Sequence, residues 1–143
     1  MAVALAAGVV VAVGCSDDDD SAAGTYRVQA DAVFCTDLVS ARDTVISGLV
    51  DATGGVSPDG VAAFADSYEP ILRDHIVALR ALDAPDRDAA AGVVDAASAV
   101  ADRLRAVAGD PSRAPATTAA DLRALATSPA LVGELTAAGL RTC

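Results

Sequence analysis

Apolar residues along this chain return every three or four positions, and no segment sustains the alternation of a half-buried strand. That restricts the fold to helices that each bury one face. A first helix is predicted from about Tyr26 to Val50, on the spacing of Phe34, Leu38, Ala41, Val45 and Leu49. Thr53-Gly54-Gly55 should end it, because glycine is the easiest residue to place in a left-handed cap. A second helix opens with Ser57 as N-cap, Pro58 at the first helical position and Asp59 in the first turn. Its stripe is Val61, Phe64, Tyr68, Leu72, His75 or Ile76, Leu79 and Leu82. Pro70 falls inside this stripe and should kink or split the helix, since it cannot donate to the carbonyl of Asp66.

Asp83-Ala84-Pro85-Asp86 reads as a stop followed at once by a new start. The third helix carries Val93, Ala97, Val100, Leu104 and Val107, and Gly109-Asp110-Pro111 closes it. A fourth begins at Thr117 or Thr118, with Asp121 as a capping-box-like partner and Leu122 and Leu125 facing inward. Ser128-Pro129 predicts a break and restart, after which Leu131 or Val132, Leu135 and Leu140 continue the apolar face to Cys143. Four amphipathic segments on short loops predict an all-α domain over residues 25–143, arranged as an antiparallel four-helix bundle. Its core is rich in Ala, Val and Leu, with Tyr26, Phe34, Phe64 and Tyr68 as its only aromatics. Alanine buries little area, so a core of this kind gains from a covalent staple.

Ala2 to Val13 is a run of twelve apolar residues without a polar face. It is too short to span a bilayer, which takes about 20 residues. Gly14, Cys15, Ser16 and the four aspartates Asp17–Asp20 follow it directly. This resembles a bacterial lipoprotein signal peptide with Ala12-Val13-Gly14-Cys15 as the lipobox, although no Lys or Arg precedes Cys15. The resemblance implies that residues 1–14 are removed and that the thiol of Cys15, the new N-terminus, carries a diacylglyceryl group. The domain would then hang from the extracytoplasmic face of the cell membrane, where two acyl chains suffice for stable anchoring. Residues 15–24 would form a flexible acidic tether, kept extended by repulsion among Asp17–Asp20. Consecutive side chains of an extended segment alternate in direction, which argues against a calcium cage built on them.

With Cys15 assigned to lipid, Cys35 and Cys143 remain. They form one disulfide in an oxidising compartment, or they are two separate buried thiols. A disulfide would staple the first helix to the last. It requires the fourth helix to stop short or slant across, because Cys35 lies nearly three turns into the first.

The net charge of −10, with 20 acidic residues against ten arginines, repels phosphate backbones and argues against a nucleic-acid partner. The chain has no H-E-x-x-H, Cys-x-x-Cys, phosphate-binding loop, G-x-S-x-G or glycine-rich dinucleotide turn. The absence of lysine excludes a Ser-Lys dyad or Schiff base, and the single histidine excludes a multi-histidine metal site. No catalytic residue, metal or cofactor is therefore expected. Glu69 and Glu134 are the only glutamates, and the aspartates read as solvated faces and caps. His75 and Tyr68, seven residues apart on one helical face, are the candidates for ligand binding. Such a pair could hold the polar end of an apolar ligand or ligate haem iron. Alternatively both are structural residues at the edge of the interior, satisfied by Arg73, Asp74 or water.

The lipobox, the acidic stretch, the Ala-rich helices, the Cys35/Cys143 pair, L-R-A-L-D-A-P-D-R at 79–87 and the terminal G-L-R-T-C together resemble the small lipoproteins of high-GC Gram-positive actinobacteria. That resemblance carries little function with it, and the first expectation is a non-enzymatic cell-envelope lipoprotein whose helical module presents a surface to another envelope protein. Mycobacterial haem-binding exported proteins are similar in pairing an early with a terminal cysteine around helices, though at closer spacing. They imply the second expectation, a carrier of haem or a small apolar ligand near Tyr68 and His75.

Overall fold

A computed structural model describes residues 17–143, with side chains from residue 21 onward. The described chain is all-α. Helix α1 (Asp17–Asp31) passes without a break into a π-helical segment (Ala32–Leu38) and then α2 (Val39–Ser47), the junction residues keeping right-handed helical dihedrals. The helices α3 (Pro58–Arg80) and α4 (Arg87–Gly109) follow, then a 3₁₀ turn (Pro111–Arg113), α5 (Ala119–Leu125) and α6 (Pro129–Ala137). α3 and α4 share the most extensive contact, α6 packs on α4, and the π segment and α2 pack on α3.

The starts of these helices follow from local chemistry. Ser57, Asp86, Thr118 and Ser128 each accept a hydrogen bond from a first-turn backbone N–H, satisfying a donor that the helix itself cannot pair. Thr118 and Asp121 form the reciprocal capping box. The apolar stripes close over one core in which Phe64, Leu72, Val93, Ala97, Leu104 and Leu122 are wholly buried. Glu69 on α3 takes hydrogen bonds from Arg73 and from Arg105 of α4, and Arg73 also reaches Asp102 at 2.8 Å, so ion pairs run along the outside of the α3–α4 contact.

Three expectations need correction. The segment expected as an extended tether is helical from Asp17 onward. The first helix ends at Ser47, not at Thr53-Gly54-Gly55. Gly48 lowers helix propensity, and Asp51 offers the backbone a competing turn. Its Oδ1 accepts from the Thr53 and Gly55 amides at 2.8 and 2.9 Å, and Gly54 (φ 85°) serves that turn rather than a helix cap. Third, of the kink or split expected at Pro70, the split does not occur, and α3 runs as one helix from Pro58 to Arg80. Pro70 is exposed, so water can satisfy the carbonyl that loses its donor, while the buried stripe from Val61 to Leu79 holds the helix on both sides.

The end of α6 decides where the chain terminus goes. Gly139 has φ 68°, its N–H bonds the Thr136 carbonyl at 3.0 Å, and the Leu140 N–H bonds the Leu135 carbonyl at 2.8 Å. This is a Schellman closure, with buried Leu140 and Leu135 as its apolar contact. It reverses the chain so that Arg141 N–H reaches Asp31 Oδ1 at 2.9 Å and Cys143 arrives beside Cys35. A Gly139→Ala variant should lose about 1–2 kcal/mol in chemical denaturation, because a side chain disfavours the left-handed backbone. An added Cβ would also lie 3.2 Å from Arg27 Nη2.

Several turn carboxylates are held below the usual aspartate value of 3.8: Asp51 by the Thr53 hydroxyl and the Gly55 amide, Asp110 by the Ser112 hydroxyl, and Asp121 by the Thr117 amide and Thr118 hydroxyl. A depressed folded pKa means the unfolded chain binds protons first as pH falls. Their stabilisation is fully present above pH 3.8 and is lost as pH drops through the folded values. Urea unfolding should therefore give a lower midpoint at about pH 3 than at about pH 5.

Candidate functional site

The cavity with the strongest claim to chemistry lies where the π segment, α2, α3 and α6 meet, under the disulfide. Its volume is about 290 Å³, at the small end of ligand cavities. Phe34 and Leu38 of the π segment, Leu72 of α3, and Leu131 and Leu135 of α6 give it apolar walls, while Tyr68, Arg42, Thr127 and Thr142 bring polar groups. Phe34 and Leu38 are the buried residues of the π segment. Phe64 sets Tyr68 in place, the two rings stacking at 5.3 Å between centroids with 14° between planes. Burial pushes the Tyr68 hydroxyl above its ordinary pKa, with smaller opposing effects from Arg42, which lowers it, and Asp43, which raises it. Tyr68 therefore stays a neutral phenol at physiological pH.

Arg42 is the cation of this cavity, with its side chain only 14% exposed. Its Nε donates to Asp43 Oδ1 at 3.1 Å, and Arg123 Nε donates to the same oxygen at 3.2 Å. Desolvation raises the Asp43 pKa, but the hydrogen bonds from these two arginines outweigh it and hold the carboxyl below its usual range. Two guanidinium groups on one carboxylate leave an excess positive charge at this corner of a strongly acidic protein. Next to it, Arg103 Nη2 donates to the carbonyls of Leu125 and Thr127 and fixes the α5–α6 connection that borders the cavity.

Cys35 and Cys143 form a disulfide with a Cα–Cα distance of 5.4 Å, so the pair is one bond and not two free thiols. Cys143 and Thr142 border the cavity. Tyr68 and His75, expected as a pair, have different surroundings. Tyr68 is buried and lines the cavity, whereas half-buried His75 lies outside it and turns its Nδ1 back to the Ile71 carbonyl at 2.8 Å, one turn earlier on its own helix. Cys15 and the residues before it lie outside the described residues. Arg42 is not among the residues expected from the sequence. The signal was present: Leu38, Arg42 and Ile46 are four residues apart, which puts a single arginine on an apolar helical face.

Among the described residues no group of three His, Cys, Asp or Glu side chains converges as a metal site, and no helix is long and apolar enough to cross a membrane. No family model matches the chain, and neither a curated protein nor a solved structure matches it.

Proposed function

We propose that this protein is an exported cell-envelope lipoprotein, anchored through acyl chains on Cys15 and acting by binding rather than by catalysis. One observation carries the reading: the Cys35–Cys143 disulfide, which spans a sequence separation of 108. Such a bond persists in an oxidising compartment and is rare in a reducing cytosol. It joins the lipobox-like Ala12-Val13-Gly14-Cys15 in pointing to export. Residues 1–14 are then a signal peptide, and residues 15–24 connect the anchor to a domain over 25–143. That domain is an antiparallel four-helix bundle in which α1–α2, α3, α4 and α5–α6 are the four legs. The short connection at 81–86 between two 23-residue helices in extensive contact supports this arrangement. The partners of such a module are the membrane, through its lipid, and another envelope protein, with nucleic acid disfavoured by the net charge of −10.

A Cys15→Ala variant should leave the membrane fraction on cell fractionation while folding as before. If the variant stays membrane-bound and keeps the length of the wild type, the anchor reading is wrong. A second reading, carriage of a small apolar ligand, gains support from the cavity at Tyr68. It rests on Tyr68 without His75, which lines no part of that cavity.

A further inference from the structure

Resting on the carrier reading, we propose that the cavity between the π segment, α2, α3 and α6 binds a small amphiphilic carboxylate, its tail among Phe34, Leu72 and Leu135 and its carboxylate on Arg42. Size sets the tail. At about 30 Å³ per water-sized group, the 290 Å³ cavity takes roughly ten non-hydrogen atoms. An eight-carbon chain with a carboxylate fills it. A haem or a two-tailed lipid would extend well beyond it.

Charge sets the head. The cavity wall holds one arginine and no Asp or Glu side chain. Among the described residues Arg42 makes a single hydrogen bond, through Nε, yet a guanidinium carries five N–H donors. The Arg42 side chain as a whole is only 14% exposed, and a carboxylate can meet two of its remaining donors in parallel. Asp43, the side-chain carboxylate that Arg42 touches, is already shared with Arg123. An ammonium head would meet this excess positive charge and be repelled. A neutral alcohol would gain the apolar contacts but no ion pair. Tyr68, a neutral phenol on the same wall, adds a donor for the second carboxylate oxygen.

The test is calorimetric titration of the full chain with octanoate, octanol and octylamine. Octanoate should bind with a Kd on the order of 0.1 mM, octanol at least about fivefold more weakly, and octylamine more weakly still. Arg42→Gln should weaken octanoate about tenfold and leave octanol within about twofold, with the folded state checked by circular dichroism. Val132 lines the cavity yet is 41% exposed, so Val132→Trp should fill the cavity without disturbing the core and abolish binding of both. Equal octanoate and octanol affinities, or an Arg42→Gln variant that binds octanoate normally, overturn the carboxylate assignment and leave the carrier reading standing. Failure of all three ligands to bind the wild type overturns both. Binding that survives Val132→Trp places the ligand elsewhere and overturns the assignment to this cavity.

Discussion

Replacing Cys143 with serine should lower the unfolding free energy by about 5 kcal/mol. The disulfide spans a sequence separation of 108, and closing a loop of that size removes conformational entropy from the unfolded chain in proportion to the logarithm of its length. Because the effect resides in the unfolded state, the variant should also show a steeper dependence on denaturant, as its unfolded chain expands and exposes more surface. Reduction of the wild-type protein should reproduce both changes. The non-covalent contacts of the tail set the opposing outcome. Arg141 N–H still reaches Asp31 and Leu140 is still buried. A loss under about 1 kcal/mol, against the roughly 5 expected from the loop, would mean that these contacts hold the terminus and that the bond adds little.

Phe64→Ala should cost a further-reaching 3–5 kcal/mol, by a different route. Phe64 has no exposed surface, and it stacks on Tyr68 at 5.3 Å. Truncation removes the transfer energy of the ring, leaves a hole in a close-packed interior and strips Tyr68 of its stacking partner. The surrounding core is largely alanine, valine and leucine, whose short side chains reach little way into such a hole. Domains of this size have about 5–15 kcal/mol in total, so the variant should stand near its unfolding midpoint in mild denaturant. Here the denaturant dependence should stay that of the wild type, since the staple remains. Phe64→Leu should recover most of the loss. A Phe64→Ala variant within about 1 kcal/mol of wild type would contradict the placement of this ring at the centre of the core.

Much of the fold was legible in the residues. Ser57-Pro58, Asp86, Thr118 with Asp121 and Ser128-Pro129 mark helix starts by chemistry that acts within one turn, and all four stand where the sequence puts them. The ends were harder to read. Gly54-Gly55 looks like a helix cap, but Asp51 captures that stretch in a turn of its own. Pro70 looks like a break, but the burial of Phe64, Tyr68 and Leu72 on both sides of it holds the helix together. These outcomes turn on competition between local signals and tertiary burial, which a window of sequence does not contain. The π segment left no trace in composition at all. Of the site, Tyr68 was visible as a polar-tipped aromatic on an apolar stripe. His75 shared that spacing but turns back to Ile71. Helical periodicity gives the face a residue occupies, and not the rotamer that carries its polar atoms toward a cavity or away from it. The spacing of Leu38, Arg42 and Ile46 marks Arg42 on an apolar face, but the cavity it borders exists only where α2, α3 and α6 meet.

Intact-mass spectrometry of the protein taken from the membrane fraction of a bacterium that lipidates its exports, recorded without reduction, tests the central claim most directly. A chain that begins at Cys15, carries the mass of a diacylglyceryl group there and lacks the two thiol hydrogens of Cys35 and Cys143 is the predicted result. An unmodified chain that retains residues 1–14, with Cys35 and Cys143 reduced, would contradict it.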